Sequence, residues 1–365
     1  MHIEDWDRQF LSRYNPENYV RMLKLANVKS AMIYANSHVG YCYWPTKTGH
    51  MHDGIRGRDV LGEISELCHK EGIDVIFYYS LIFNNWAYEQ HPEWRIIDLN
   101  GKGSRERHGQ AGRYGVCCPN SPGYRKFVSE QIKELCQNYE FEGIFFDMTF
   151  WPTVCYCSNC KKRYREEVGK ELPRIIDWDD PAWINFQKKR EEWLIEFASM
   201  ATSTVKKYKP EVTVEHQYST APASWILGVT SELAEQCDFV GGDFYGGALQ
   251  QSFICKLYYN ITPNMPFEFM TSICYPNLRD HTTIKSKALM EAHAFLTIAH
   301  CGAFLIIDAI DPIGTLEERR YRLIGDIFNK ISKYEKYLGG KLCQDIGIYF
   351  SFDSKMSLDE KGKNH

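Results

Sequence analysis

The sequence has 365 residues, of which 44% are hydrophobic and 14% aromatic, and its formal net charge at pH 7 is −4. This length accommodates one (β/α)8 barrel, which typically takes about 250 residues. The negative net charge argues against nucleic acid as a partner, because phosphate binding needs a basic surface. No apolar run approaches the roughly 18 residues of a membrane span, and residues 1–6 lack the pattern of a secretion signal. We therefore expect a cytoplasmic protein without a membrane partner.

Short apolar runs alternate with amphipathic stretches, a pattern that indicates βα units around a parallel sheet. The predicted strands lie at 1–5, 30–36, 74–80, 143–148, 212–217, 238–243, 266–271 and 303–309. The predicted helices include 58–71, 123–138, 182–207, 285–300 and 317–337. Eight alternations favour a closed (β/α)8 TIM barrel of the α/β class over an open sheet.

The C-terminal region departs from this pattern. After Gly339 and Gly340, residues 345–352 (DIGIYFSF) form a further strand-like run. A ninth strand cannot join a closed eight-stranded barrel. We therefore interpret residues 1–338 as a TIM-barrel catalytic domain and 339–365 as a linker and the beginning of a truncated second α/β domain. Because an exposed strand of this kind leaves an apolar edge, we expect a homo-oligomer.

Carboxylates follow several predicted strands, and a TIM barrel carries its chemistry at the C-terminal strand ends. The carboxylates that end the fourth, fifth, sixth and eighth predicted strands are Asp147, Glu215, Asp243 and Asp308. Glu268 lies near the start of the seventh, and so lower in the barrel. Hydrolysis of a glycoside needs two carboxyl groups across the scissile bond, and this set could supply such a pair.

Aromatic and histidine side chains accompany these carboxylates. His38 follows the second predicted strand on a loop with Tyr41, Tyr43 and Trp44, and this loop should face the mouth of the barrel. Flat aromatic rings pack well against sugar faces. The residues that we expect to bind substrate are His2, Glu4, His38, Tyr43, Trp44, Tyr79, Trp151, His216, Glu268 and Asp308.

Several segments resemble the α-L-fucosidases in the right order along residues 20–320. They are NVKSAMIYANSHVGYCYWPTK, RDVLGE, GIDVIFYYSL, EGIFFDM and CGAFLIIDAIDPIGTL. The fourth strand of those enzymes ends in the aspartate nucleophile, and EGIFFDM places Asp147 at that position. The resemblance thus implies a retaining α-L-fucosidase-like glycosidase that forms a covalent glycosyl intermediate on Asp147.

The chain departs from the fucosidases at two points. Those enzymes carry two adjacent histidines after the second strand, whereas this sequence has only His38. Their acid/base glutamate follows the sixth strand, but residues 243–251 (DFYGGALQQ) contain no glutamate. We take Asp243 as the first alternative for the acid/base and Glu215 as the second.

A further resemblance is to a group of glycosyl hydrolase barrels that combine HPEW, here residues 91–94, with a CYCxxC run after the fourth strand. Many of these continue into a domain like the trimerisation domain of the family 42 β-galactosidases. Residues 347–355 (GIYFSFDSK) resemble the beginning of that domain.

A cluster of cysteines follows the fourth predicted strand. Cys155, Cys157 and Cys160 lie within six residues, and Cys117 and Cys118 precede them by nearly 40 residues. Three thiolates and a distant fourth suit a tetrahedral structural zinc site, with Cys117 as the fourth ligand and Cys118 as the alternative. A similar arrangement occurs in the family 42 β-galactosidases. Reduced thiols that bind no metal are the other interpretation, and we expect no cofactor for catalysis.

Two other functions fit parts of the sequence. A metal-dependent hydrolase barrel would use histidines and carboxylates at strand ends, here His2, Glu4, His216 and Asp308. A non-catalytic sugar-binding barrel would explain the missing glutamate after the sixth strand. The glycosidase and the sugar-binding barrel both require a carbohydrate as the partner of this protein.

Overall fold

The computed structural model describes residues 2, 4, 7–276, 280 and 282–363, without the side chains of residues 110 and 111. The strands in these residues are β1 (Ser30–Tyr34), β2 (Tyr41–Cys42), β3 (His50–Met51), β4 (Asp74–Ser80), β5 (Gly143–Asp147), β6 (Thr213–His216), β7 (Gly241–Asp243), β8 (Glu268–Ser272) and β9 (Ala303–Ile307). The helices are α1 (Pro16–Leu25), α2 (Val60–Lys70), α3 (Asn85–Gln90), α4 (Pro122–Asn138), α5 (Ser158–Val168), α6 (Pro181–Tyr208), α7 (Ala248–Ile261), α8 (Lys287–Ala299) and α9 (Glu318–Ile331).

The main strands pair in parallel and in chain order. One sheet has the order β1-β4-β5-β6 and the other has the order β7-β8-β9, and all their pairings are parallel. A parallel bridge between Gln217 and Gly241 connects the end of β6 to β7. The strands β2 and β3 form a separate short pair beside β1. Parallel strands point the same way, so their carboxyl ends collect at one edge.

Several helices begin at signals that are visible in the sequence. Asn15, Ser121 and Asp180 accept backbone N–H groups of the first turns of α1, α4 and α6, and each is followed by proline. These side chains satisfy donors that a helix start leaves open, and proline at the first position needs no N–H partner.

None of the helices in the described residues combines the length and the apolar character needed to cross a membrane.

An apolar cluster forms inside the strands. Side chains of one face of β1, β4 and β5 meet side chains of β8 and β9, although these strands belong to two different sheets. The members of this inner cluster are Met32, Tyr34, Ile76, Tyr78, Phe145, Met270, Leu305 and Ile307. Because successive side chains of a strand point to opposite faces, the intervening residues pack outward against the helices.

The structure confirms seven of the predicted strands as elements, with ends that move by up to three residues. The predicted helices 58–71, 123–138, 182–207, 285–300 and 317–337 also correspond to helices, the last as α9 followed by the 3₁₀ turn Ser332–Tyr337. The predicted strand at 1–5 lies outside the described residues except for His2 and Glu4. Its pairing therefore stays a prediction.

The prediction of a strand at 345–352 is wrong. This segment is irregular, and Ile346, Ile348 and Tyr349 expose 87%, 76% and 90% of their surface. In the described residues it pairs with no other strand, and an isolated strand has no partner for its backbone groups. The second domain and the homo-oligomer that we inferred from this segment stay predictions.

The C-terminal segment returns to the loop that follows β6. Lys355 Nζ donates to the carbonyl oxygens of Ala221 at 3.0 Å and Val229 at 2.5 Å. Trp225 of the same loop donates from Nε1 to Glu360 Oε2 at 2.8 Å. This loop begins at the carboxyl edge of the strands, so the C-terminal segment holds one part of that edge in place.

We predict that Lys355→Met destabilises the protein. Methionine keeps the apolar stem but leaves two carbonyl groups without this donor, which costs about 1–3 kcal/mol when the acceptors are shielded from water. Urea denaturation followed by circular dichroism measures the free energy of unfolding. Lys341→Met, at an exposed lysine of the same segment, is the control and should leave that free energy unchanged. Equal stability of the two variants would contradict this role of Lys355.

Candidate active site

Two aspartates end strands at the carboxyl edge. Asp147 is the last residue of β5 and lies opposite Ser80, the last residue of β4. Asp243 is the last residue of β7. Gln217 directly follows β6 and lies between β5 and β7, because it is bridged to Gly241 of β7 and its N–H donates to the carbonyl of Phe146 in β5. The two carboxylates therefore come from strands that are separated by one strand.

Asp147 is buried and held by two donors. Its Oδ1 accepts the N–H of Met148 at 2.8 Å, and its Oδ2 accepts the hydroxyl of Tyr78. Burial and the charge of Asp243 raise the pKa of Asp147 to about 7, although both hydrogen bonds lower it. At neutral pH both the protonated and the ionised form of Asp147 are therefore populated.

The backbone turns sharply directly after Asp147. Met148 has φ of 60°, in the left-handed region that residues other than glycine rarely adopt. Such a conformation costs on the order of 1–3 kcal/mol and is concentrated at functional sites. The residue in this strained conformation, Met148, also donates its N–H to the carboxylate and so orients Asp147.

His38 faces Asp147 from the loop after β1. Its Nε2 lies 3.8 Å from Asp147 Oδ2, and its Nδ1 lies 2.8 Å from Ser80 Oγ. Ser80 donates its only hydroxyl hydrogen to the carbonyl of Phe83 at 2.9 Å, so Ser80 accepts a hydrogen bond from Nδ1. Burial lowers the pKa of His38 well below its usual value. The network therefore assigns a neutral ring whose Nε2 can accept a hydrogen bond from a ligand hydroxyl.

His2 backs the ring of His38. The two rings stack with centroids 3.9 Å apart and planes 8° from parallel, and His2 Nδ1 accepts the backbone N–H of His38 at 3.1 Å. Burial, followed by the neighbouring His38, lowers the pKa of His2 well below its usual value. His2 thus positions His38 and presents no charge at neutral pH.

Asp243 is surrounded by hydrogen-bond donors. Its Oδ1 accepts Ser219 Oγ at 3.1 Å and Gln217 Nε2 at 3.3 Å, and its Oδ2 accepts the hydroxyl of Tyr245. Asp243 itself is half-buried, and Tyr245 is 37% exposed. The arrangement places a partly accessible carboxylate beside the buried Asp147.

Glu215 and Glu268 lie deeper between the strands. A Cβ added to Gly241 would come within 2.0 Å of Glu215 Oε1 and 2.8 Å of Glu268 Cβ, so the two glutamates flank this glycine. Burial raises the pKa of both groups, that of Glu268 to about 8, and the charge of Glu268 adds to the shift of Glu215. Together the two groups retain a proton at neutral pH. Their depth favours Asp243 over Glu215 as the partner of Asp147.

Several predicted site residues point away from this edge. Tyr79 donates from its hydroxyl to Gln131 of α4 at 2.5 Å, because it faces the opposite side of β4 from Tyr78 and Ser80. His216 lies between the hydroxyls of Thr149 at 3.1 Å and Thr202 at 2.9 Å. The structure therefore places Tyr79 and His216 between strands and helices, where they support the core.

The other predicted residues serve local contacts. Tyr43 and Trp44 are buried beside β2, and Trp151 donates to the carbonyl of Arg190 at 2.8 Å. Asp308 is paired with Arg320 at 2.9 Å. Glu4 Oε1 accepts Asn85 Nδ2 at 2.6 Å. His2, Glu4, His216 and Asp308 thus have separate partners, and within the described residues they do not form the ligand cluster that a metal-dependent hydrolase would need.

Three further residues of the site, Tyr78, Ser80 and Tyr245, are not among those predicted from the sequence. The signal for the first two is alternation along β4, since Ser80 ends the strand beside Asp147 and Tyr78 shares its face. Tyr245 lies two residues after Asp243, in a loop whose path no periodicity describes. Its contact with Asp243 emerges only in the folded chain.

Four buried cysteines converge between the loop after β4 and the loop after β5. The sulfur of Cys118 lies 3.9 Å from that of Cys155, 3.6 Å from that of Cys157 and 3.5 Å from that of Cys160. Tetrahedral zinc with bonds of about 2.3 Å to each sulfur requires sulfurs about 3.8 Å apart, so this donor set fits zinc. The predicted fourth ligand Cys117 is not in this group.

Cys117 differs from its neighbour by orientation. It pairs with Arg95 in an antiparallel bridge, and its sulfur points to the carbonyl of Asn84 at 3.9 Å. Consecutive side chains of an extended segment point to opposite sides, and only Cys118 therefore reaches the other three thiols.

Comparisons with known proteins place this geometry in context. The model of the family described as hypothetical glycosyl hydrolase 6 matches residues 15–148. A β-galactosidase of Lactobacillus acidophilus is 21% identical over 260 residues, which are 59% of this chain and 38% of that protein. The chain thus spans less than half the length of this relative.

Solved structures show the fold. α-L-fucosidase isoenzyme 2 from Paenibacillus thiaminolyticus is 23% identical with a TM-score of 0.75, over 93% of this chain and 49% of that one. A β-galactosidase from Bacillus circulans sp. alkalophilus is 16% identical with a TM-score of 0.63, over 88% of this chain and 54% of that one. The chain therefore has an α/β fold similar to those of glycoside hydrolase barrels.

We predict that Asp147 titrates near pH 7 and that Tyr78→Phe raises its pKa further. The Tyr78 hydroxyl stabilises the ionised carboxylate, so its removal favours the protonated form. Carbon-13 NMR of the carboxyl groups measures the midpoint, with the signal assigned by its absence in Asp147→Asn. Tyr79→Phe is the matched control, because that hydroxyl bonds Gln131. A midpoint near the ordinary aspartate value, or one that Tyr78→Phe leaves in place, would contradict the arrangement.

Proposed function

We propose that this protein is a glycoside hydrolase. The observation that carries the proposal is the pair Asp147 and Asp243, which end β5 and β7 at the same edge of the strands. Asp147 is buried and Asp243 is half-buried, and His38 Nε2, which lies 3.8 Å from Asp147 Oδ2, can accept a hydrogen bond from a hydroxyl. Two carboxyls with sugar-binding groups are what glycoside hydrolysis requires. The matching glycosyl hydrolase family model and the similar folds support this proposal.

The proposal includes a closed (β/α)8 barrel. Seven parallel strands follow one another in the described chain, and side chains of both sheets meet in the inner cluster. An eighth strand depends on the strand predicted at 1–5, which lies outside the described residues except for His2 and Glu4. In such a barrel the carboxyl edge is the mouth, which is where the catalytic residues of this architecture lie.

In the proposed mechanism, Asp147 is the nucleophile and Asp243 is the acid/base. Asp147 attacks the anomeric carbon while Asp243 gives a proton to the leaving oxygen, and Asp243 then takes a proton from the water that releases the sugar. The hydrogen bonds from Met148 and Tyr78 orient the attacking carboxylate. Two displacements at one carbon return the original anomeric configuration, so the enzyme would be retaining.

The pKa of Asp147 fixes the expected pH dependence. A nucleophile must be ionised, and the raised pKa of about 7 means that the ionised fraction of Asp147 falls as the pH drops below that value. The rate kcat/KM should therefore fall on the acid side of about pH 7. If Asp147 were instead the acid, the rate would fall on the alkaline side.

An α-L-fucoside is the first substrate that we propose. The similar structure from Paenibacillus thiaminolyticus carries the name of an α-L-fucosidase. A β-galactoside is the second candidate, because the similar protein of Lactobacillus acidophilus is a β-galactosidase. His38 can accept a hydrogen bond from a sugar hydroxyl in either case. The site residues therefore do not distinguish the two sugars, and both are tested.

We predict that purified protein hydrolyses nitrophenyl α-L-fucoside or β-D-galactoside and that Asp147→Gly lowers kcat by at least about 10³-fold. Removal of a nucleophile abolishes the covalent route, whereas the fold should persist. Absorbance of released nitrophenol measures the rate, and circular dichroism checks the fold. Proton NMR of the first product should show the anomer of the substrate.

Azide separates the two roles of Asp147. Added to Asp147→Gly, it should form a glycosyl azide of opposite configuration if Asp147 is the nucleophile and of unchanged configuration if Asp147 is the acid/base. Asp345→Asn, at an exposed carboxylate, is the control and should retain wild-type activity. A kcat for Asp147→Gly within about tenfold of wild type would exclude both roles.

We also propose that Cys118, Cys155, Cys157 and Cys160 bind a structural zinc ion. All four thiols are buried, and their ligand atoms lie within 4.8 Å of one another. When bound, zinc would cross-link the loop after β4 to the loop after β5. Four thiolates fill a tetrahedral shell, so the ion would take no direct part in hydrolysis.

We predict about one zinc ion per chain, and its loss together with a lower Tm in Cys155→Ser. Removal of one thiolate breaks the shell and the cross-link that it provides. Plasma emission spectrometry measures the metal, and differential scanning calorimetry measures Tm. Cys343→Ser, at an exposed cysteine outside the group, should keep both values. Zinc-free wild-type protein from zinc-supplemented expression would refute the site.

A further inference from the structure

Three shielded acceptor oxygens without a donor lie around Gly241, the first residue of β7. They are Glu215 Oε1, Gln217 Oε1 and Glu268 Oε1, and none of them has a hydrogen-bond partner within the described chain. Glu215 and Gln217 are only 3% and 6% exposed. Glu268 is half-buried as a residue, but its Oε1 is shielded from solvent. A shielded acceptor without a donor costs free energy, so these oxygens call for a proton donor.

Gly241 brings the two glutamates together. It lies opposite Glu268 of β8 and is bridged to Gln217, which directly follows β6. A Cβ on Gly241 would lie 2.0 Å from Glu215 Oε1 and 2.8 Å from Glu268 Cβ. The carboxyl group of Glu215 therefore occupies the space that a side chain at position 241 would fill, and it lies next to Glu268.

The charged groups that face Glu215 are all acidic. They are Glu268 of β8, Asp243 of β7 and Asp147 of β5, and each of them adds to the effect of burial, which is the largest cause of the raised pKa of Glu215. Burial alone raises the pKa of Glu268 to about 8. Among the residues that the structure describes, neither glutamate forms an ion pair with a lysine, arginine or histidine. The two glutamates thus have no cation to balance them.

Two further titratable groups face Glu215 from the outer side of the strands. They are Tyr258 of α7 and Cys237, which precedes β7. Burial is the largest cause of the raised pKa of both, and the charge of Glu215 adds to it. Both groups are therefore neutral at neutral pH, and neither supplies a positive charge.

Two neighbouring carboxyl groups in such an interior do not both ionise, because like charges repel strongly where water is excluded. A single proton between Glu215 and Glu268 gives a donor to one carboxyl and an acceptor to the other. It also leaves one negative charge on the pair instead of two. The last proton of such a pair belongs to both groups together.

We propose that Glu215 and Glu268 share one proton across the space left by Gly241, and that this glutamate pair is a positioning element for Asp147 and Asp243. The sharing of the proton stands by itself, whereas its role in catalysis rests on the proposed glycoside hydrolase function. Charges act on one another mutually, so a second charge on the pair would oppose the ionisation of Asp147. By holding the proton, the glutamate pair lets Asp147 ionise near neutral pH.

Carbon-13 NMR of protein labelled at the side-chain carboxyl carbon of glutamate tests the sharing without any turnover. The signals are assigned by their absence in Glu215→Gln and in Glu268→Gln. In the wild type, both signals should follow the same two steps, separated by more than about one pH unit, because the second proton leaves a pair that is already charged. Each single variant keeps one carboxyl of the pair and should show one step.

Gly241→Ala tests the geometry. Its Cβ would displace the carboxyl group of Glu215, so the two steps should move closer together. Gly247→Ala is the matched control, because a Cβ there would meet no atom within 4 Å. The single glutamine variants keep the test open if Gly241→Ala does not fold.

Three results would overturn the sharing of a proton. In the first, both glutamates of the wild type ionise together near the ordinary glutamate value. In the second, both stay protonated through neutral pH. In the third, the midpoints move with the concentration of NaCl, KCl or CaCl2, which would mean that a cation occupies the place of the proton.

The double variant Glu215→Gln/Glu268→Gln tests the effect on Asp147. It keeps the shape of the pair and removes its remaining charge, so the midpoint of Asp147 should fall by about one pH unit. A pair that only supports the fold would leave this midpoint in place. Glu211→Gln, at an exposed glutamate, is the control and should not move it. An unchanged midpoint in the double variant overturns the positioning role.

Kinetics then connect the glutamate pair to hydrolysis. For the nitrophenyl glycoside that the wild type cleaves, the acid limb of kcat/KM should move to lower pH in the double variant, by as much as the midpoint of Asp147. An acid limb that stays in place in an active variant overturns the positioning role. If the wild type cleaves neither glycoside, the proposed function fails, and the carboxyl titrations alone decide whether the pair shares a proton.

Discussion

Parallel pairing of β4 with β5 puts Ser80 and Asp147 opposite each other at the ends of their strands. From that register the surroundings of Asp147 follow. Tyr78 shares the face of Ser80 and reaches the carboxylate, and Ser80 holds the ring of His38 so that Nε2 points to Asp147. A shift by one residue would turn the opposite face of β4 toward the site and replace Tyr78 by Tyr79.

Burial of carboxyl groups carries a desolvation cost at this site. Asp147, Glu215 and Glu268 all have raised pKa values, and burial is the largest cause for each of them. A folded state that keeps such groups charged pays a desolvation penalty, which the protein reduces by retaining protons or by supplying donors. Asp147 has two donors, whereas one oxygen of each glutamate lacks a hydrogen-bond partner in the described residues. Hydrogen bonds therefore compensate burial better for Asp147 at its strand end than for the deeper Glu215 and Glu268.

The loops after β4 and β5 carry the four clustered thiols and lie next to Asp147 at the end of β5. Cys118 lies near the end of the first loop and Cys155 belongs to the second, while Val116 and Thr153, each two residues away, line a cavity of about 220 Å³ between the loops. A metal ion on the four thiols would fix the separation of these loops. Because Phe83 of the first loop also contacts His38, the width of the cavity and the position of His38 depend on the same segment.

The sequence by itself determined the order of the strands, most helices and the strand-end position of Asp147 and Asp243. Those features depend on local periodicity, capping residues and the parallel βα rhythm, all of which are read from neighbouring residues. Only the tertiary structure decided that Tyr78 faces Asp147 while Tyr79 packs against α4. It also decided that Cys118 joins the other thiols. These choices depend on which face of an extended segment meets a partner distant in sequence, and composition cannot specify that orientation.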